Sequence, residues 1–297
     1  MKPYVIITDT SCDLESSLRA PYGIECVPMH YIYDGKDFEA DTDWKEISAP
    51  DFYNIMRGGT RIFTAQVNKE SYKQAFLKHV KEGKDVLSIS CSSEISASIN
   101  ASKVAREEVL KEYPDAKIVC VDALRACYAL GILVLTAGEL QKEGKSLDEV
   151  ADWVEKNKLT VNMEGTVEKL TYLKQAGRVS ATSAFFGGLL NIKPIIMADA
   201  LGRNFAVAKV KGRMASFEKI AERVKDAYLD VPHQKMFISH ADCLEDAELL
   251  KKMILEKIGK EIEVHIGYVG SAVGASVGPG MIGVYFFGKE VTQNKAE

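Results

Sequence analysis

Short apolar runs rich in β-branched residues alternate along this chain with segments of helical period, which restricts it to a sheet with helices packed across its faces. Residues 4–8 predict a strand that ends at the turn Asp9-Thr10-Ser11-Cys12-Asp13. A short helix to about residue 22 and a strand over 26–33 follow. Ser48 and Pro50 predict a helix start, since a serine cap and an early proline both suit unpaired first-turn amides. Further on come a helix over 71–82, a strand over 86–90, a long helix over 95–113 and a strand over 118–122. Two more helices complete this half, the second opened by the capping box Ser146-Leu147-Asp148-Glu149.

Beyond a boundary near Asn157 and Lys158 the strands lengthen and the helices between them thin out. Strands are predicted over 160–167, 192–197, 205–210, 236–239, 262–268 and 282–287, and helices over 181–189, 215–228 and 246–258. Residues 292–297 read as a disordered tail. The expected fold is α/β with two domains. The first, 1–157, has a mainly parallel sheet with flanking helices; the second, 158–290, has a mixed sheet with helices. A length of 297 residues accommodates two such cores.

Composition narrows the function. The 42 acidic and 38 basic side chains leave a net charge of −4, without the clustered basic excess that nucleic acid requires. The apolar run 4–7 is too short for a signal peptide, and no window approaches a membrane span. The expectation is a cytoplasmic protein with no nucleic-acid partner and no stable membrane insertion. Cys12, Cys26, Cys91, Cys120, Cys127 and Cys243 form no CxxC pair and read as reduced, mostly buried thiols.

Two apparent catalytic motifs fail on context. Gly278-Pro279-Gly280-Met281-Ile282-Gly283 matches a dinucleotide fingerprint, but a strand is predicted after it where a helix is required. Gly274-Ala275-Ser276-Val277-Gly278 matches a nucleophile elbow, but the last histidine, His265, precedes the serine. Both read as glycine-rich loops. The five histidines are dispersed, and His240 with Asp242 and Cys243 is a structural cluster rather than a zinc site.

The segment Ser92-Ser93-Glu94-Ile95-Ser96-Ala97-Ser98 links a predicted strand to a predicted long helix, the position where open α/β sheets bind ligands. Ser96 either caps the helix or donates its hydroxyl to a carboxylate, with the Ala97 and Ser98 amides as further donors. On the alternative reading these serines only form caps and turns.

Several motifs, in order, resemble the DegV family of bacterial fatty-acid-binding proteins. Asp9-Thr10-Ser11-Cys12-Asp13-Leu14 resembles its TDS-x-DL motif, and Pro28 with Tyr33-Asp34-Gly35-Lys36 its next strand and turn. Thr64-Ala65-Gln66-Val67 resembles its TSQP segment, and the serine segment its SS-x-LSGT loop. Leu173-Lys174-Gln175-Ala176-Gly177-Arg178-Val179-Ser180 resembles LK-x-GGRIS, and Gly278-Pro279-Gly280 the late GPG turn. The resemblance implies an acyl chain held between the domains with its carboxylate on Thr64 and Ser96, helped by the Ala97 backbone. It also implies no cofactor, no catalysis by this chain alone, and a partner kinase of dihydroxyacetone-kinase type that makes acyl phosphate for phospholipid synthesis. Ser276 stands where the family has a histidine, Ala97 replaces a glycine, and Ala123 a serine. Arg178 is either a positive charge at the mouth or a solvated surface residue. Phe185, Phe186, Leu189, Leu190, Ile192 and Ile195 are candidates for the tunnel wall or for ordinary core. Rival readings are a small-acid hydrolase or transferase in the interdomain cleft, and a binder of another apolar acid such as a retinoid.

Overall fold

A computed structural model describes residues 2–180 and 191–294, with the Ser180 side chain excluded. The first half contains β1 (Tyr4–Asp9), a 3-10 turn (Thr10–Cys12), α1 (Ser16–Arg19), a second 3-10 turn (Ala20–Tyr22), β2 (Glu25–Val27), β3 (His30–Tyr33) and β4 (Lys36–Glu39). It continues through α2 (Ala49–Arg57), β5 (Phe63–Ala65), α3 (Lys69–Lys81), β6 (Asp85–Ser90), α4 (Ser98–Glu112), β7 (Ile118–Asp122), α5 (Cys127–Lys142) and α6 (Leu147–Asn157). The second half contains β8 (Val161–Thr166), α7 (Leu170–Ala176), β9 (Val179–Ser180), β10 (Ile192–Ala198), β11 (Asn204–Lys211) and α8 (Arg213–Ala227). It ends with β12 (Met236–His240), α9 (Leu244–Ile258), β13 (Val264–Tyr268), α10 (Ser271–Val277) and β14 (Ile282–Phe287).

The fold is α/β, with a parallel sheet β2-β1-β6-β7 in the first half and a mixed sheet β13-β12-β14-β8-β10-β11-β9 in the second. A small antiparallel sheet, β4-β3-β5, stands beside them. Every residue of β1 and β6 is buried because helices cover both faces. Val5, Ile7 and Val86 pack with helices α3 and α4, whereas Tyr4, Ile6 and Leu87 pack against α5 and α6. The period of two divides each strand between the two cores.

Helix α5 is buried almost throughout because it lies between the sheets and touches both. Gly131 permits this approach, since a Cβ there would sit 2.9 Å from the Cys12 carbonyl oxygen. On the far face of the mixed sheet, Ile282, Val284 and Phe286 of β14 pack beneath α8 and α9. The layers therefore run helix, parallel sheet, helix, mixed sheet, helix.

Ser48 and Ser146 cap α2 and α6 as expected, and both halves of the Ser146–Glu149 capping box form. Three expectations need correction. The strand over 26–33 is two strands in different sheets, β2 and β3, interrupted at Pro28, which has no N–H to continue a ladder. The helix expected from residue 95 starts at Ser98, because residues 92–96 turn on their own bonds: the Ile95 and Ser96 N–H groups both donate to the Ser92 carbonyl. The glycine-rich stretch before residue 278 is helix α10 rather than a loop, and α7 is likewise a helix the sequence pattern did not indicate. The helix expected over 181–189 lies outside the described residues. Within the expected tail, the Gln293 carbonyl accepts from the Ala200 N–H.

Candidate ligand cavity

A cavity of about 600 Å³ opens at the C-terminal ends of β1 and β6, against the face of β8 and β10. Such crevices are where open α/β sheets leave room for ligands. The TDS-x-DL motif builds its frame. Asp9 accepts from both the backbone and the hydroxyl of Ser11 through Oδ1, and from the Cys91 N–H at 2.9 Å through Oδ2, tying the ends of β1 and β6 together. Thr10 Oγ1 accepts from the Met29 N–H at 2.9 Å, replacing the ladder lost at Pro28. Asp13 Oδ1 accepts from the Gly270 N–H at 3.1 Å, joining this turn to the start of α10. Burial raises both carboxyls against those donors, Asp13 most clearly, and its Oδ2 is buried with no hydrogen-bond partner among the described residues.

Among the proposed site residues, Thr64, Ser96, Ala97, Arg178 and Ser276 all line the cavity. Thr64 comes from β5, Ser96 and Ala97 from the turn before α4, Ser276 from the last turn of α10, and Arg178 from the α7–β9 connection. Ser98 does not line it; its buried hydroxyl accepts from the Val67 N–H at 3.2 Å and lies 2.9 Å from Ser96 Oγ. The Ser98 N–H donates to Ser96 Oγ at 3.3 Å, so that amide is occupied. Ala97 is the N-cap of α4, and its N–H makes no hydrogen bond among the described residues. Either hydroxyl of the Ser96–Ser98 pair can donate to the other; when Ser98 donates, the Ser96 hydroxyl hydrogen is free to point into the cavity.

The walls are mostly apolar, with Met163 and Gly165 of β8, Ile196 of β10 and Val273 and Val277 of α10 among them. Cys91 and Cys127 also line the cavity, and burial pushes both thiols up, with Asp9 and Asp13 adding to it. Neither supplies a thiolate near neutral pH. Ile195 packs under α8 and α9, away from the cavity, because successive residues of β10 face opposite sides of the sheet and Ile196 takes the cavity side. Ile192 is half-buried and does not line it. Phe185, Phe186, Leu189 and Leu190 lie outside the described residues.

Sequence reasoning missed Met163, Ile196 and the start of α5, Ala126 and Cys127, all of which line the cavity. Apolar strand residues carry no mark of which sheet face holds a ligand. His240 is structural: its Nδ1 accepts from the Cys243 N–H at 3.3 Å, and its ring packs 4.4 Å from Tyr268. Among the described residues no three His, Cys, Asp or Glu side chains converge as a metal site would require. Ser276 stands at the end of α10 rather than at a strand-to-helix turn, and no histidine is among the described lining residues. The six cysteines are free thiols, three of them buried.

A family model described as an uncharacterised protein of the DegV family matches residues 3–289. A DegV domain-containing protein of Clostridium perfringens is 38% identical over 288 residues, covering 97% of this chain and 98% of that protein. A DegV family protein from Thermus thermophilus, solved for its fatty acid binding, superposes with a TM-score of 0.85 at 25% identity, covering 97% of this chain and all of that one. DegV from Bacillus subtilis, a fatty acid binding protein, shares the fold with a TM-score of 0.83 at 24% identity, covering 97% and 100% of the two chains.

Proposed function

The chain belongs to the DegV family, and from that premise we propose that it binds a long-chain fatty acid in the cavity and presents the carboxylate to a separate kinase. The observation that carries this reading is one cavity whose walls are mostly apolar while Thr64, Ser96 and Ser276 bring three hydroxyls to it. The fatty acid binding of the Thermus thermophilus relative supports the ligand class.

Tail and headgroup contribute differently. Burying about 14 methylenes at roughly 0.8 kcal/mol each gives about 11 kcal/mol before the cost of association. A carboxylate left unpaired in the same cavity would remove several kcal/mol of that. The Thr64 and Ser96 hydroxyls and the Ala97 N–H offset the loss with charge-assisted hydrogen bonds. Ser98 acts through Ser96, orienting its hydroxyl. Arg178, exposed at the cavity edge, adds positive charge where the headgroup meets solvent.

This chain supplies no chemical step in the reading. A kinase of dihydroxyacetone-kinase type takes the carboxylate as acceptor: one oxygen bonds to the terminal phosphorus of a nucleoside triphosphate as the bond to the diphosphate breaks. The acyl phosphate then serves phospholipid synthesis in the cytoplasm. The same reading divides the chain into 1–157, which brings Thr64, Ser96, Ala97 and Ser98, and 158–290, which brings Arg178 and Ser276.

The test is mass spectrometry of ligands released by denaturing protein purified from bacterial cells. A near-stoichiometric C16 or C18 acid supports the reading. Protein that stays empty after incubation with such acids sinks it.

A further inference from the structure

Two of the free thiols touch: Cys12 Sγ and Cys26 Sγ stand 3.6 Å apart, and no other thiol pair is in hydrogen-bonding contact among the described residues. Cys12 ends the 3-10 turn that follows β1, and Cys26 lies on β2, opposite Thr8 of β1 in the parallel sheet. At that separation the sulfurs are in van der Waals contact, whereas a disulfide holds them about 2.05 Å apart. One partner has to move for the bond to form. Cys12 is fully buried, and its carbonyl oxygen lies so close to α5 that a Cβ at Gly131 would come within 2.9 Å of it. Cys26 is half-buried on a three-residue strand at the sheet edge, paired to β1 on one side only and broken off at Pro28. The turn is fixed and the edge strand yields.

The segments that carry the two thiols are also cavity wall. Ser11 precedes Cys12, Met29 follows Cys26 by three positions, and both line the cavity. A single hydrogen bond already braces these segments, from the Met29 N–H to Thr10 Oγ1 at 2.9 Å. The thiol contact joins the same two segments beside that bond.

We propose that Cys12 and Cys26 are a redox-active dithiol whose oxidation by a low-molecular-weight disulfide braces this wall of the cavity covalently. The more exposed Cys26 reacts first. Its sulfur attacks the small disulfide, a mixed disulfide forms, and one small thiolate leaves and takes up the Cys26 proton. The Cys12 sulfur then attacks the Cys26 sulfur, the mixed bond breaks, and the second small thiol leaves with the Cys12 proton. The two protein thiols lose two electrons, and one small disulfide is reduced to two thiols. Burial pushes the Cys12 thiol up, which makes the second step the slower one. With Ser11 and Met29 held by a covalent link as well as a hydrogen bond, the wall opens less readily and a bound acyl chain leaves more slowly. The dithiol is independent of the fatty-acid reading; only the effect on acyl release rests on it.

The experiment incubates the full chain with oxidised glutathione, blocks the remaining thiols with iodoacetamide and maps the cross-linked peptides by mass spectrometry. Cys12–Cys26 should be the principal linkage, and dithiothreitol should reverse it. In the oxidised form the urea midpoint should rise by roughly 0.5 M, and release of a fluorescent fatty acid should slow about threefold or more. Cys26→Ser keeps the remaining thiols and should show neither change; Cys12→Ser repeats the control from the buried side. Absence of a Cys12–Cys26 linkage, or a principal linkage through another pair, would overturn the dithiol. A linkage that leaves the midpoint or the release rate unchanged, or changes that persist in Cys26→Ser, would overturn the brace. If the reduced protein does not take up the fluorescent fatty acid, the fatty-acid reading falls, while the mapped linkage and the urea midpoint still decide the brace.

Discussion

Replacing Ser96 with alanine isolates the headgroup bond from everything else in the cavity. In the proposed arrangement the Val67 N–H supports Ser98 Oγ, Ser98 Oγ and the Ser98 N–H support Ser96 Oγ, and the Ser96 hydrogen meets the carboxylate. Deleting that hydroxyl removes a hydrogen bond to a charged acceptor, worth roughly 1.5–3 kcal/mol. At about 1.4 kcal/mol per decade, palmitate affinity should fall roughly 10- to 100-fold. Stability of the ligand-free protein should barely change, by about 1 kcal/mol or less, because water reaches the half-buried position and replaces the lost acceptor. Two assays separate the effects: displacement of a fluorescent fatty acid from delipidated protein, and urea unfolding of the same samples. Methyl palmitate is the control, since the ester has no charge for Ser96 to stabilise. The unaltered protein should prefer the acid strongly, and Ser96→Ala should narrow the preference. A palmitate loss below twofold, or an equal loss for acid and ester, would refute the carboxylate role.

Ser98→Ala should act in the same direction but more weakly, by roughly 0.5–1.5 kcal/mol, since it disorders the Ser96 hydroxyl without removing it; a loss exceeding that of Ser96→Ala in the displacement assay would reverse the assigned roles. Gly278→Ala should destabilise the protein by about 2 kcal/mol or more in urea melts, because its φ of 76° disfavours a side chain and the added Cβ would enter the Tyr172 ring. Ile195→Ala should cost roughly 2–5 kcal/mol of stability with palmitate affinity unchanged, whereas Ile196→Ala should lower both, a contrast set by the opposite faces of β10 on which they stand. Asp13→Asn tests the buried carboxyl by its pH dependence. Burial raises the folded pKa of Asp13 above its unfolded value near 4, so its contribution is fully present below pH 4 and declines as pH rises through the raised value. Stability of the variant relative to the unaltered protein should therefore improve as pH rises above about 4, and a flat difference between pH 4 and 8 would contradict the assignment.

Local signals were legible in the sequence because their causes are local. Ser48 and Ser146 cap helices through bonds to backbone three residues ahead, and the apolar run of β1 needs only its own residues to mark a buried strand. The serine segment before α4 was equally legible as a strand-to-helix turn, although its own Ser92 bonds delay the helix to Ser98. The α10 stretch was misread because its glycines suit loops, whereas close packing favours them here: a Cβ at Gly274 would crowd the Tyr53 ring. The inward face of β10 was also beyond reach of the pattern. Lys193 apart, its residues are apolar on both faces, and only its place between β8 and β11 decides that the face carrying Ile196 rather than Ile195 meets the cavity. The meeting of Thr64, Ser276 and Arg178 in one wall depended on the tertiary structure as well, since they come from a strand, a helix end and a connection far apart in the chain. A residue's neighbours along the chain determine whether it bends, caps or extends. What faces it across a cavity is set by long-range packing, which no local pattern encodes.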